Sequence, residues 1–435
     1  RRIVRERGSD AYDFSHDKLR EAAYEALSLA RRRLLHRQVA QALEAIYASD
    51  PDAIARRLAV HYQRAGLPEK AVPCYLRAGE AANRVFASDE AEASFRHGLD
   101  LLEGGSWSPD QEAWRREMAA GLYEGLGDTL QANRAEEARQ AYQTALQAQD
   151  EEDRLARARL QTKIGFGWVG QGQADQAVQA FNLAETLLGP KPFQPLAEWW
   201  QRWGDVQFFR LNAYYTMGRW REMARVLDKL RPIVEQQGAA RFRGLYLLNR
   251  VVMAMRRDRY VISDETLADA RDWLAMIPEA GDRFFVEFAY YLVGWLLVLR
   301  GEFEEAEKVL QTGLALMEET RNLWSGSYVL NWLAMLWRRR GQVQQARHYA
   351  SRALKTARAV QHPEQVGLSQ GHLSWVAWRE GKQADAAELG QAALRAWQRS
   401  QWAYAFHWTA RFPLLAMALE GDRIPEALDH ARAML

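Results

Sequence analysis

Small and bulky apolar residues recur along this chain in a helix-turn-helix pattern with a period of about forty residues. The turns fall at Asn133, Gly172, Gly218, Asp258, Gly301, Gly341 and Gly381, with a further one at Gly421. Five residues after each turn come Ala138, Ala177, Met223, Ser263, Ala306, Ala346 and Ala386. Twelve after it come Ala145, Ala184, Leu230, Ala270, Gly313, Ala353 and Ala393. Positions seven apart share one face of a helix, and small side chains there let a neighbouring helix approach closely. A larger residue fills the slot nine after the turn at Tyr142, Phe181, Leu227, Leu267 and Leu310, with Ala350 and Gly390 as exceptions. A second helix precedes each turn, with Trp168, Tyr214, Leu297 and Trp337 four residues upstream of theirs. This pattern predicts stacked helix pairs in which each unit buries its apolar face against the next.

The order small, aromatic, turn, small, bulky, small resembles the tetratricopeptide repeat (TPR) over roughly residues 63–435. The units are longer than the 34 residues of a standard repeat, which implies longer helices. The expected fold is all-α, a TPR-like right-handed superhelical solenoid, truncated at its C-terminus. In the last unit the alanine arrives as Ala427, six residues after Gly421 rather than five, with Pro425 near a helix start where proline is tolerated.

The first 62 residues do not follow the repeat. Ile3–Arg7 and Ala11–Phe14 read as two short strands about the turn Gly8-Ser9-Asp10. An arginine-rich helical run follows, with Phe14-Ser15-His16, Arg20-Glu21-Ala22-Ala23-Tyr24 and Arg32-Arg33-Leu34-Leu35-His36 succeeding one another up to Ala40. This run, with Leu58-Ala59-Val60-His61-Tyr62 and the spacing of Gly66, Lys70 and Ala71, resembles the segment that joins the ATPase core to the TPR region in STAND regulators. STAND denotes signal-transduction ATPases with numerous domains, and the likeness is to the large MalT/LuxR-type ATP-binding activators and their relatives. The resemblance implies that residues 1–62 are the tail of a winged-helix module with a helical linker, and that residues 63–435 are a sensor domain. It further implies an ATPase core upstream, with its own ATP and Mg, whose inhibition is released when the TPR region receives an inducer such as a sugar, a peptide or a protein. A plain TPR scaffold without a switch is the competing reading. The start at Arg1 without methionine, and the stop at Leu435 inside a second helix, are read as those of a piece of a longer protein.

Composition narrows the alternatives. A net charge of +2 gives no support to a nucleic-acid surface. The single cysteine, Cys74, excludes an internal disulfide framework and fits a reducing, cytoplasmic compartment. The apolar stretch Phe284–Leu299 is interrupted by Glu287 and Gly294 and falls short of the ~20 residues of a bilayer span. It occupies a first-helix slot and is expected to be a buried helix, so no membrane is invoked.

No catalytic constellation emerges, and the chain is not expected to be an enzyme. The chain has no Gly-x-x-x-x-Gly-Lys-Ser/Thr loop, and no two histidines stand three or four apart, which removes helical zinc motifs. Gly165-Phe166-Gly167-Trp168-Val169-Gly170 matches a dinucleotide fingerprint, but its context is helical where the fingerprint needs a strand before it. No cofactor or metal is therefore assigned to these residues.

The candidate site comes from helix geometry. In TPR arrays the first helix of each unit lines the concave face, at positions about thirteen, ten, six, three and two before the turn. Those slots hold Phe288, Tyr291 and Trp295; Tyr328, Asn331, Met335, Arg338 and Arg339; Trp375, Trp378 and Arg379; and Trp408 and Arg411. Earlier units hold the thinner set Phe166, Phe208, Asn212 and Tyr215. Aromatic faces with interleaved guanidinium forks suit a sugar, a peptide or a small anion, whereas the alternative is that the rings simply fill a wide core. Arg31, Arg32 and Arg33 are candidate contacts to the upstream ATPase, or a solvated helical face. His16 and His36 are read as structural.

Overall fold

The computed structural model describes residues 4–434 apart from 8–10, 15–16, 86, 132–133, 172, 193–196, 238–239, 277–282, 321 and 399–405. The expected turns at Asn133 and Gly172, the turn Gly8–Asp10 and His16 lie outside the described residues. The chain divides into two compact units, Arg1–Phe209 and Arg210–Leu435.

The first unit opens with a two-stranded antiparallel ladder, β1 (Val4–Arg7) and β2 (Ala11–Phe14), in the register Val4↔Phe14 to Arg7↔Ala11. The helices α1 (Asp17–Glu25), α2 (Leu29–Ile46), α3 (Ala55–Ala65), α4 (Pro68–Arg84) and α5 (Ser88–Gly104) follow. After them come α6 (Glu112–Leu130), α7 (Ala135–Ala148), α8 (Arg154–Gly170), α9 (Ala174–Leu188) and α10 (Ala197–Thr216), within which the division falls. Consecutive helices pack as pairs, α4 on α5, α6 on α7 and α8 on α9.

The second unit continues with α11 (Trp220–Gln237), α12 (Ala240–Arg257), α13 (Asp264–Met276), α14 (Arg283–Arg300), α15 (Phe303–Glu319) and α16 (Leu323–Arg339). It ends with α17 (Val343–Ala359), α18 (Pro363–Arg379), α19 (Gln383–Gln398), α20 (Trp408–Glu420) and α21 (Ile424–Met434). Each first helix also touches the next first helix, α14 on α16, α16 on α18 and α18 on α20, which is the contact pattern of a stacked solenoid. The fold is therefore a TPR-like array of helix pairs.

The repeat slots explain the packing. Ala138, Ala145, Ala177, Ala184, Ala306, Ala346, Ala353, Ala386 and Ala393 are all fully buried, and so are the nine-slot residues Tyr142, Phe181, Leu227, Leu267 and Leu310. Each large nine-slot side chain taken out of water contributes roughly 1.5–3 kcal/mol. In two of these units the facing helix gives way to the bulky slot: a Cβ on Gly165 would stand 2.5 Å from the Phe181 ring, and one on Gly294 2.4 Å from Leu310. In the two units whose nine-slot is small, Ala350 and Gly390, the position seven before the turn carries a side chain, Ala334 and Ser374. A Cβ on Gly390 would stand 3.0 Å from Ser374 Oγ and from Leu414, so there the side chains come from the facing helices. Gly165, Gly167 and Gly170 all lie inside α8, so the apparent dinucleotide fingerprint sits in a helix, with no strand before it.

Two registers differ from expectation. Gly301, Gly341 and Gly381 have φ of +93°, +73° and +76°, the left-handed helix stop that glycine adopts freely. In the last unit Asp422 takes that conformation (φ +53°) instead of Gly421, so Ala427 stands five residues after the true turn. Near Asp258 the turn is stretched, because Arg259 and Tyr260 both have positive φ and the next helix begins only at Asp264. Ser263, expected in the buried small slot, is instead exposed, and its Oγ accepts the Thr266 backbone N–H at 3.1 Å as a helix cap. The apolar stretch from Phe284 forms α14 and contributes the middle of the largest core of this unit. Among the described residues no helix is long and apolar enough to cross a membrane.

Candidate functional site

In the second unit, the first-helix slots of α14 and α16 come together as a chain of rings. Phe288, Tyr291 and Trp295 follow one another along one face of α14 at 5.6 and 5.8 Å between ring centroids, because spacings of three and four share a helix face. Tyr291 meets Tyr328 edge-on at 5.3 Å, and Trp295 stacks on Trp332 at 5.3 Å. Phe406 closes this cluster from the start of the last helix pair, 5.5 Å from Trp295, 5.3 Å from Trp332 and 5.7 Å from Tyr260. The rings expected to line a face are therefore packed against one of the chain's own side chains. Burial pushes the Tyr291 and Tyr328 phenols far up. Tyr328 Oη and His362 Nε2 are hydrogen-bonded at 2.8 Å, and burial lowers the His362 pKa to about 4, so the imidazole is neutral and its tautomer sets which of the two donates.

A polar seam runs beside the rings where α16 faces α18. Asn331 is fully buried and donates from Nδ2 to Ser327 O at 3.1 Å and Gln365 Oε1 at 3.0 Å, while its Oδ1 accepts from Ser369 Oγ at 2.9 Å. Gln365, Ser369 and His372 fall at spacings of four and three on α18, and Asn331 and Arg338 seven apart on α16, so each set forms one stripe. His372 is 0% exposed and its ring nitrogens make no well-formed hydrogen bond, the Asn331 backbone being the group in reach. Burial, reinforced by the nearby Arg338 charge, holds its pKa well below the usual value. Met335 is buried among the apolar residues of the same core.

Arg338 is only 7% exposed and no carboxylate among the described residues pairs with it. Its guanidinium lies 5.5 Å from the Trp375 ring and 6.0 Å from those of Trp408 and Phe412, and Nη1 donates to Thr409 O at 2.8 Å. That carbonyl is an orphan: its helical donor would be the N–H four residues on, and that residue is Pro413. Burial pushes the arginine pKa down to about 9, which still leaves it protonated at neutral pH. An uncompensated buried charge costs several kcal/mol, against ~0.5–2 kcal/mol for each ring contact, so the cage offsets only part of the cost.

The other expected site residues lie at the margin. Arg339 is exposed and donates from Nη1 to Leu299 O at 2.8 Å, capping the end of α14. Arg379 is exposed beside Trp375 and Trp378, at 5.8 and 5.9 Å from their rings. Trp378 Nε1 donates to Glu420 Oε1 at 3.1 Å, and Arg411 is half-buried within electrostatic reach of His407 and His430. Sequence reasoning missed Trp332, Phe406, His372 and Thr409. The stripe of Gln365, Ser369 and His372 was visible as polar residues at helical spacing.

At the start of the first unit, Arg32 is already committed: it donates to Leu27 O at 2.9 Å and Glu25 O at 3.1 Å and covers Tyr24 at 5.0 Å, tying α1 to α2. Arg31 and Arg33 are exposed. His36 has partners after all, Tyr24 Oη at 2.9 Å and His61 Nδ1 at 2.9 Å. On α2, Leu35, Val39 and Ile46 form an exposed apolar stripe, with Ile46 71% exposed. Of the thinner slot set, Phe166 packs on Phe209 at 4.9 Å, Tyr215 lies under Arg256 at 4.5 Å and Asn212 is exposed.

Paired helices with interlocked small and bulky slots, stacked first helix on first helix, define a helical-repeat protein of the TPR kind. No family model matches the chain. A relative, an uncharacterised protein of Rhizobium meliloti (strain 1021), is 31% identical over 176 residues, which are 39% of this chain and 16% of that protein. The chain thus matches about a sixth of that relative's length. Among solved structures, a STAND protein with a tetratricopeptide repeat sensor from Pyrococcus horikoshii is similar over 98% of this chain and 65% of its own, at 15% identity and TM-score 0.52. Aspartyl phosphate phosphatase F from Bacillus subtilis matches 84% of this chain and 93% of its own, at 15% identity and TM-score 0.50. The apo form of RapI matches 83% and 96%, at 12% identity and TM-score 0.50. At these identities the likeness is one of fold.

Proposed function

We propose that this chain is the inducer-sensing region of a STAND-type regulator, in which ligand binding to the inner face of α14, α16 and α18 relieves inhibition of an ATPase core. The observation that carries this reading is the composition of that face, where aromatic rings, amides and a caged arginine converge. A face built only for stability would be expected to be apolar, since polar groups add to a core only when fully satisfied. The fold likeness to the P. horikoshii STAND protein supports the reading, as does the exposed apolar stripe of α2, a surface suited to docking an upstream domain. Arg31 borders that stripe and would contact the core, whereas Arg33 lies on the other side of α2 near Gly66 and Arg32 braces α1. The nucleotide and Mg would belong to the upstream domain, and the setting would be cytoplasmic.

A passive scaffold is the second reading, and the Phe406 ring filling the aromatic cluster favours it. A thermal-shift and tryptophan-fluorescence screen with oligosaccharides, nucleotides, amino acids and short peptides separates the two. The sensor gives a saturable response that Trp378→Ala abolishes with its helical circular dichroism intact, and the same ligand raises ATP turnover by the longer protein. A silent screen, with ATP turnover indifferent to every compound, decides for the scaffold.

A further inference from the structure

We propose that Arg338 and His372 form a binding site for a small oxyanion-bearing ligand that docks under the first turn of α20. The proposal deepens the sensing reading by naming the chemistry the inner face would take.

Three observations converge on it. Among the described residues Arg338 is a buried cation without a counter-ion, and of its five N–H donors one is used by a protein acceptor, the Thr409 carbonyl. His372 is fully buried, its ring makes no well-formed hydrogen bond, with the Asn331 backbone the one group in reach, and it lies within the electrostatic field of Arg338. Buried polar atoms in folded proteins nearly always have partners, so an imidazole N–H without a well-placed acceptor beside an uncompensated guanidinium defines a demand for an acceptor that also carries negative charge. An oxyanion meets both needs, because its oxygens accept from the guanidinium fork and from an imidazole N–H. The rings of Trp375, Trp408 and Phe412 around Arg338 limit its contact with water, which strengthens such a bond. Neutral His372 can donate from one nitrogen without adding a second buried charge.

The first turn of α20 occupies the place nearest the fork. Arg338 supplies the donor that Pro413 denies to Thr409, and Gly371 lets α18 approach so closely that a Cβ there would meet Thr409 Oγ1 at 2.8 Å. An arriving anion would compete with the Thr409 carbonyl for the guanidinium. Ligand binding and the seating of α20 are therefore linked through one side chain.

The test is thermal shift and tryptophan fluorescence with phosphate, acetate and benzoate at constant ionic strength set with chloride. A saturable rise in melting temperature with at least one of the three is expected, and the carboxylates against phosphate tell which oxyanion the site prefers. Arg338→Met abolishes the response. Because that change leaves the Thr409 carbonyl unpaired, it is also made in a Pro413→Ala background, where the restored backbone N–H keeps α20 seated. Pro413→Ala alone frees the fork and tightens binding several-fold, and His372→Leu weakens it about tenfold. No saturable response to any of the three anions, or an equal response in Arg338→Met with Pro413→Ala, overturns the proposal. An inducer that acts on ATP turnover unaffected by Arg338→Met would overturn this site while leaving the sensing reading. Anion binding lost on Arg338→Met but without effect on ATP turnover would do the reverse.

Discussion

At Gly294 a single methyl group decides how closely α14 and α15 approach, because Leu310 occupies the space a Cβ would need. Gly294→Ala is expected to destabilise by about 1–3 kcal/mol through overpacking. Leu310→Ala alone should cost about 2–5 kcal/mol through the cavity it leaves. The double variant recreates the arrangement of small residues at Ala334 and Ala350, so its cost should fall short of the sum by more than 0.5 kcal/mol. Urea denaturation of the three variants checks this, and strict additivity would refute the interlock. The slots themselves were legible in the sequence, since the spacing of Ala306, Leu310 and Gly313 from the turn recurs along the chain, mostly with small, bulky and small residues. What faces them was not, because the period aligns residues along the chain and is silent on which hole receives which knob. His36 illustrates the same limit: its bond to His61 crosses from α2 to α3 and leaves no mark at any fixed spacing.

Among the elements, α20 departs furthest from the repeat. A proline in a helix interior costs ~3 kcal/mol, and Pro413 is tolerated because Arg338 reaches across from α16 to satisfy the carbonyl it orphans. Pro413→Ala should therefore raise the melting temperature, and it should reduce the cost of Arg338→Met, since the Thr409 carbonyl then has its own helical donor. A double-mutant cycle measures this, and a coupling energy near zero would show that the arginine serves α20 in no such way. The helix pairs followed from the pattern, and Tyr291, Trp295 and Tyr328 lie together across α14 and α16. The expectation of an open face fails at Phe406, which comes from the far side of two repeats and inserts among rings on α14 and α16. Contacts of that range depend on how the last pair folds back, and a repeat period carries no information about it. The stretched turn at Arg259 and Tyr260 was also invisible, because two residues there adopt positive φ without a glycine to announce it.

For the whole molecule, the titratable groups impose a common pH response. His36, His61, His362, His372, His407 and His430 all have lowered pKa values, chiefly from burial, with His362 at about 4. Between the unfolded value of 6.5 and those lowered values the unfolded chain binds more protons, so stability rises with pH there. The contribution of these neutral imidazoles is complete above pH 6.5 and is lost as pH falls through the folded values. Glu92, Glu124 and Glu305, held low by arginine and lysine partners, add a further loss in the same direction below the ordinary carboxylate value of 4.5. On the alkaline side Cys74 is pushed up to about 11 from 9.0, and Tyr142 and Tyr215 far above 10.0, all by burial. There the folded chain keeps protons the unfolded chain releases, so stability falls as pH rises past the unfolded values. The melting temperature should thus plateau between about pH 7 and 8.5, decline steadily from pH 6.5 towards 4, and decline again above pH 9. Scanning calorimetry across that range checks the profile. A melting temperature constant from pH 7 down to 4 would mean that the buried imidazoles find acid partners on protonation, which the lack of a well-formed hydrogen bond at His372 and the arginines beside His36, His61 and His407 argue against.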